Sequence, residues 1–326
     1  MKAIRVHQPG PPEVLQIEDL PIPAARSAWV RIRVRAFGLN RSELFTRQGH
    51  SPSVRFPRVL GIECVGAVDD SGGTDLKPGQ TVAALMGEMG RAYDGGYAEY
   101  ALVPRERVLP VHTALPWDVL AALPETWLTA WGSVVEAMDM ASGQSLLVRG
   151  GTSSVGMAAT SLAKSRGVRV IATTRAHAKA AALRGNGADD VIIDTGRIAD
   201  DVRRRVPGGV DGVLELVGTQ TLLDSLQAVR PGGIVCHTGI LGNAWVLERF
   251  EPLEAIPSTV RLTTYHSGTT SAERSSAALQ EIVDGVEAGR YRPNLQRTFR
   301  FEEIVTAHQF MEADQATGKL VVLVDG

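Results

Sequence analysis

Residues 146–156, Leu-Leu-Val-Arg-Gly-Gly-Thr-Ser-Ser-Val-Gly, constrain this chain more than any other stretch. An apolar run leads through two glycines and small hydroxylated residues into a helical pattern, which is the order strand, tight turn, helix. In that reading Gly151 makes the turn and Gly156 lets helix and strand pack closely. The amides at the helix start, over Thr152, Ser153, Ser154 and Val155, face an anion such as a pyrophosphate. Ser153 stands where the common Gly-x-Gly-x-x-Gly fingerprint has its middle glycine, which narrows the backbone approach but adds a hydroxyl able to donate to phosphate. Taken alone, a plain glycine-rich turn competes with this reading.

The surroundings decide in favour of a nucleotide fold. Strand patterns at 146–149, 168–173, 190–193, 212–216 and 234–238 alternate with amphipathic segments at 157–166 and 176–184, which predicts an α/β, doubly wound parallel sheet. Before it, from residue 1 to about 116, short β-branched runs at 29–36, 61–68, 80–85 and 97–103 are separated by turn signals at Gly72-Gly73, Lys77-Pro78-Gly79 and Asp94-Gly95-Gly96. That pattern predicts a β-rich domain. The apolar stretch 115–135, with Trp127 and Trp131 in the core, predicts a buried helix leading out of it. Amphipathic 272–288, a helix over 301–314 and a closing strand over 320–324 are expected to return to the first domain. The 326 residues thus divide into a discontinuous domain, 1–120 with 265–326, around a nucleotide-binding domain, 121–264.

Charge narrows the partners. With 34 basic against 36 acidic side chains, well interspersed, there is no electrostatic reason to expect nucleic acid or an anionic membrane, and small molecules are the expected ligands. Two cysteines, Cys64 and Cys236, build neither a disulfide framework nor a multi-thiolate zinc site, and fit a reducing compartment. No run of about 18 apolar residues occurs and Met1–Val6 lacks a leader's apolar stretch, so the expectation is a soluble, cytoplasmic protein.

The second parallel strand ends at Thr174-Arg175, where an NAD-binding chain carries an acid for the ribose hydroxyls. Lys179 follows one helical turn later. A guanidinium, an ammonium and a hydroxyl suit the 2′-phosphate of NADPH, the competing reading being that the two cations solvate a helix start. Asp194, ending the next strand pattern, is discordant because it would repel that phosphate.

Gly38-Leu39-Asn40, Gly61-Ile62-Glu63-Cys64-Val65-Gly66, Asp94–Tyr100, Leu128-Thr129-Ala130-Trp131, Asp211–Gly218, Arg230-Pro231-Gly232-Gly233 and Gly318-Lys319-Leu320-Val321, in this order, resemble landmarks of the medium-chain dehydrogenase/reductase superfamily, in particular its zinc-independent quinone oxidoreductase branch. The resemblance covers nearly the whole chain. It implies a GroES-like β-rich catalytic domain built from both chain ends, a Rossmann domain between them, and a homodimer. Zinc-dependent members carry a cysteine where this chain reads Ala36–Asn40 and a histidine at Ile62, and a lobe of four cysteines absent around Met86–Asp94, so no metal is expected.

What the resemblance implies is an NADPH-dependent transfer of hydride to a quinone or an α,β-unsaturated carbonyl, whose conjugated oxygen takes up charge without a Lewis acid. Asn40 is the catalytic candidate, its amide donating to that oxygen beside the nicotinamide; the competing reading is an asparagine that satisfies backbone groups in a turn. Thr129, Val217, Gly218, Thr238, Gly239, Ile240 and Leu241 are candidates for the nicotinamide end, and Lys319 for the cofactor phosphates. Phe45 and Ser51 stand where related quinone reductases place tyrosines, which weakens quinone specificity. His50, Tyr93, Tyr265 and His266 are the available proton donors. The other reading is an NADPH-binding regulatory or structural protein with little turnover. The segment 243–260, with Trp245 and Phe250, is expected to supply interface or substrate surface.

Overall fold

The computed structural model describes Met1–Val324, apart from the side chain of Thr269; Asp325 and Gly326, the last two residues of the expected segment 265–326, lie outside the described residues. The chain forms two compact units, one of residues 1–128, 268–289 and 295 onward, the other of residues 129–267 and 290–294.

The first unit is built on a seven-stranded sheet. Its centre is Trp29–Gly38, which pairs antiparallel with Glu63–Asp70, Tyr100–Pro104 and Lys319–Leu323. The alternating β-branched pattern of Trp29–Gly38 puts Val30, Ile32 and Val34 into the core, where burial of each apolar side chain stabilises by about 1.5–3 kcal/mol. Pairing of Val321 with Gly38 ties the C-terminal strand into this sheet. Phe37 stacks on Tyr97 at 4.5 Å between ring centres, and both are fully buried. A three-stranded sheet of Lys2–Val6, Gln16–Asp19 and Arg58–Val59 completes the unit.

The second unit holds a six-stranded, all-parallel sheet of Ser145–Arg149, Arg169–Thr174, Asp190–Ile193, Val210–Glu215, Val229–His237 and Arg261–Thr264. Numbered in chain order, these strands lie 3-2-1-4-5-6, the arrangement of a doubly wound dinucleotide fold. The near-continuous apolar runs of the inner strands follow from burial on both faces: Leu146, Leu147 and Val148 are all inaccessible to solvent. The sixth strand, Arg261–Thr264, was not anticipated from the sequence, because Arg-Leu-Thr-Thr at a sheet edge carries almost no apolar signal.

The apolar stretch expected to form one helix is broken into Trp117–Ala121, Pro124–Trp131 and a π-helical turn, Gly132–Ala137. Pro124 ends the first piece, since its ring lacks an N–H and disfavours helix in the residue before it. At Gly132 a side chain would collide with the Tyr265 ring, so glycine is required for this close approach. Trp127 is fully buried, as expected of a core residue, whereas Trp131 is half-buried.

Candidate functional site

In the second unit the turn after the first strand is shaped by its glycines. The positive φ of +86° falls on Gly150, one residue before the expected Gly151. Gly151 serves a different need: its amide donates to the Thr173 carbonyl at 3.0 Å, and a Cβ there would press on Ala172 and Thr173. Gly156 has the expected role, since a Cβ would lie 2.5 Å from the Gly150 carbonyl oxygen. Ser153 caps the helix Ser154–Ser165: its Oγ accepts from the Gly156 amide at 3.1 Å and donates to the Gly150 carbonyl at 2.8 Å. The hydroxyl proton expected for a phosphate is therefore used to brace the turn. Thr152, Ser153, Ser154 and Val155 are half-buried at the helix N-terminus, where the helix dipole favours an anion. The small residues leave a cradle that side chains would fill, and this fits a dinucleotide pyrophosphate.

At the end of the second strand Thr174 is buried, and its hydroxyl accepts from the Ala176 amide at 3.1 Å, which turns the chain outward. Arg175 is exposed and Lys179 half-buried on the short helical segment His177–Lys179 that follows. Asp194, ending the third strand, donates its amide to the Thr174 carbonyl at 2.9 Å and so stands beside this position. Its carboxylate is held by a bidentate fork from Arg149, at 2.9 and 3.0 Å. Burial alone pushes the Asp194 carboxyl up, but the Arg149 hydrogen bonds and charge, the Gly196 amide and the Thr173 hydroxyl outweigh it and hold the group below its ordinary value.

The residues expected at the nicotinamide end converge in this unit. Thr238 and Gly239 donate their amides to the Glu215 carbonyl, and Leu241 donates to Leu216, which seats 238–241 on the end of the fourth strand. Gly218 has a φ of +109°, and Ile240 lies within van der Waals reach of the space a side chain there would take. Ser133, on the π-helical turn, donates to the Thr129 carbonyl at 2.8 Å and pairs with the Thr238 hydroxyl at 3.0 Å. Beneath the fourth strand end Glu215 is inaccessible. Its carboxylate accepts from the Val217 and Gly218 amides at 2.7 and 2.9 Å and from the Thr221 and Ser225 hydroxyls at 3.0 and 2.5 Å. Burial raises its pKa against the Ser225, Gly218 and Thr221 donors and the Arg149 charge.

Arg149 and Glu215 were not singled out from the sequence. Each ends a strand directly after a buried, uncharged run, Leu146–Val148 and Gly212–Leu214, and a charge following such a run was the available signal.

In the first unit Asn40 begins the helix Arg41–Arg47, and its amide nitrogen in the backbone donates to Glu43 Oε2 at 3.1 Å. Both side-chain amide hydrogens go to carboxylates, Glu43 Oε1 at 3.2 Å and Glu63 Oε1 at 2.9 Å, while Oδ1 accepts from Lys319 at 2.6 Å. The donor capacity expected to face a substrate oxygen is taken up within this cluster. Lys319, expected near phosphate, is buried here with its ammonium also on Glu63 at 2.7 Å. Glu63 Oε2 accepts from the Glu125 amide, and the Ile62 amide donates to Glu43. Glu43 is raised to about 7 by burial, against the Ile62 amide and Lys319. Phe45 is buried, His50 and His266 are exposed, and Tyr93 and Tyr265 are half-buried; burial pushes the Tyr93 hydroxyl up. In the 243–260 segment Trp245 and Leu253 are exposed.

Two family models match the chain. Residues 26–113 match the family model described as an alcohol dehydrogenase GroES-like domain, and residues 186–322 the one described as a zinc-binding dehydrogenase. A quinone oxidoreductase of Pseudomonas aeruginosa is 29% identical over 335 residues, covering 99% of each chain. That of Pongo abelii is 28% identical over 331 residues, covering 99% of this chain and 98% of its own. A mycobacterial protein solved in complex with NADPH is 27% identical, with a TM-score of 0.88, covering 99% of this chain and 100% of the other. Zinc in the second description is a property of that family model. Among the described residues no three His, Cys, Asp or Glu side chains are grouped to hold a metal, and Ile62 is a buried core residue. The GroES-like segment, the 3-2-1-4-5-6 sheet and relatives aligned over the full length lead to one family: the chain belongs to the medium-chain dehydrogenase/reductase superfamily of oxidoreductases, on its quinone-oxidoreductase-like branch.

Proposed function

We propose that this oxidoreductase uses NADPH to reduce a quinone or an α,β-unsaturated carbonyl without a metal. The observation that carries the reading is the second strand end, where Thr174 and Arg175 are followed by Lys179 and the neighbouring acid, Asp194, has both carboxylate oxygens bonded to Arg149. With its pyrophosphate at the glycine turn, a reduced nicotinamide dinucleotide would supply a hydride equivalent. The chain's own residues do the rest. Amides over Thr152, Ser154 and Val155 meet the pyrophosphate, with Ser153 and Gly156 bracing the turn that holds them and Gly151 allowing its approach, and Arg175 and Lys179 grip the extra phosphate. Thr129, Val217, Gly218, Thr238, Gly239, Ile240 and Leu241 form the nicotinamide end. Asn40 acts as a positioning residue that holds Glu63 and Lys319, since its amide hydrogens are already shared between two carboxylates.

The division into 1–120 with 265–326 and 121–264, a cytoplasmic location and a homodimer belong to the same proposal. Gel filtration checks the dimer, and a monomer eluting at all concentrations removes it. Among the described residues no helix is long and apolar enough to cross a membrane.

Titration of NADPH against NADH, followed by an acceptor screen, tests the function. Tighter NADPH binding and its consumption with quinones or enones are expected. Arg175→Ala should weaken NADPH about tenfold and leave NADH nearly unchanged, as loss of a charge-assisted hydrogen bond to phosphate predicts. The second reading, an NADPH-binding protein with little turnover, is favoured by the engagement of Asn40 and by buried Phe45. Tight NADPH binding with no turnover on any acceptor would establish it.

A further inference from the structure

We propose that Arg149, at the end of the first parallel strand, determines cofactor preference by disarming Asp194. This rests on the reading that the second unit binds a nicotinamide dinucleotide with its adenosine ribose at Thr174-Arg175.

Arg149 ends the first parallel strand and is inaccessible to solvent. Its guanidinium is saturated. Nε and Nη2 donate to the two oxygens of Asp194, and Nη2 also to the Gly196 carbonyl at 3.0 Å. Nη1 donates to Asp224 at 2.7 Å, to the Ser225 hydroxyl and to the Thr221 carbonyl, both at 3.1 Å. The Asp194 oxygen facing Nη2 accepts a further bond from the Gly196 amide at 2.8 Å. Only a planar fork satisfies this set, because two parallel N–H bonds must meet one carboxylate while the third nitrogen reaches a second.

The consequence lies one strand away. Thr174 pairs with Ile193, and the Asp194 amide bonds the Thr174 carbonyl, so the third strand delivers a carboxylate next to the strand end that reads the ribose. An unpaired carboxylate there would accept from ribose hydroxyls, favouring NADH, and would repel a 2′-phosphate. With both oxygens drawn into the fork, Asp194 does neither. The selectivity of Arg175 and Lys179 is thereby set free by a residue outside the fingerprint, one that makes no contact with the nucleotide in this assignment.

The test measures dissociation constants of the full-length protein for 2′,5′-ADP and for 5′-ADP, which differ by the phosphate alone. The native chain should prefer 2′,5′-ADP. Asp194→Asn should move the ratio of the two constants less than about threefold, because its charge is already matched. Arg149→Met should shift the ratio at least tenfold toward 5′-ADP, and adding Asp194→Asn to Arg149→Met should return it to within about threefold of native. A merely structural arginine would weaken both ligands together and leave the ratio alone. Should Arg149→Met fail to fold, Asp194→Asn still decides: a tenfold gain for 2′,5′-ADP means that Asp194 repels phosphate in the native chain, and the clamp is overturned. If the native chain prefers 5′-ADP or binds neither ligand, the NADPH reading itself falls and the clamp with it. A native preference for 2′,5′-ADP that Arg149→Met leaves unchanged overturns the clamp alone.

Discussion

Each unit buries a cluster of charge, and the clusters differ in the cation at their centre. In the second unit a guanidinium serves Asp194 and Asp224 together, with Glu215 satisfied by amides and hydroxyls close by. In the first, the ammonium of Lys319 reaches Glu63 and Asn40, and Glu43 is left with neutral donors only. The outcome is opposite for Asp194, which its cation bonds directly, and Glu43, which Lys319 influences only through space. Asp194 is held below its ordinary pKa, whereas Glu43 is raised to about 7. A rigid fork bonded to both oxygens holds Asp194 in the charged form, whereas a lysine that does not bond Glu43 leaves burial to raise that acid.

Removing each cation probes this contrast most strongly. Arg149→Met should destabilise by about 3–5 kcal/mol in chemical denaturation, the usual cost of stranding a buried charge, and more than Lys319→Met does at pH 5. Lys319→Met removes the charge that favours ionised Glu43, so its penalty should grow between pH 5 and pH 8. Equal penalties at all pH values would erase the distinction.

The titration of Glu43 sharpens it. The folded carboxyl keeps its proton to about pH 7, the unfolded one only to about 4.5. The folded state therefore binds more protons between these values, and stability from this group is complete below pH 4.5 and lost as pH rises to about 7. The full difference amounts to about 3 kcal/mol. His308 runs the other way: burial, then Arg47, lowers it to about 3, so its contribution is lost as pH falls from 6.5 toward 3. Comparing Glu43→Gln with the native chain isolates the first slope. The variant should gain relative stability as pH rises from 4.5 to 7, and a difference independent of pH would place Glu43 outside the titrating set.

The smallest expected effect concerns the turn itself. Ser153→Ala removes the cap that braces Gly150 and Gly156 and should cost about 1 kcal/mol. Because its proton already goes to the Gly150 carbonyl, NADPH affinity should fall only to the extent that the turn loosens. A loss of affinity beyond tenfold without loss of stability would instead make the hydroxyl a phosphate ligand.

The glycine turn, the alternating strands of the parallel sheet and the cationic end at Thr174-Arg175 were legible in the chain because each depends on neighbours within a few residues. Gly156 is needed for a backbone approach that spacing alone announces, and apolar runs such as Leu146–Val148 declare burial on both faces. The edge strand Arg261–Thr264 and the π-helical turn Gly132–Ala137 were not legible, since the first is stabilised by its ladder to Ile234–His237 and the second is accommodated by Tyr265 packing on Gly132.

Sequence by itself determined the class of the fold, the position of the glycine turn and the missing acid of the second strand. Only the tertiary structure decided how the charges act: that Asp194 is answered by Arg149, 45 residues earlier, and that Asn40 and Lys319 turn toward Glu63. The reason is that a local pattern fixes what a backbone can do, while the state of a buried charge depends on which distant partner is brought within hydrogen-bond reach when water is excluded.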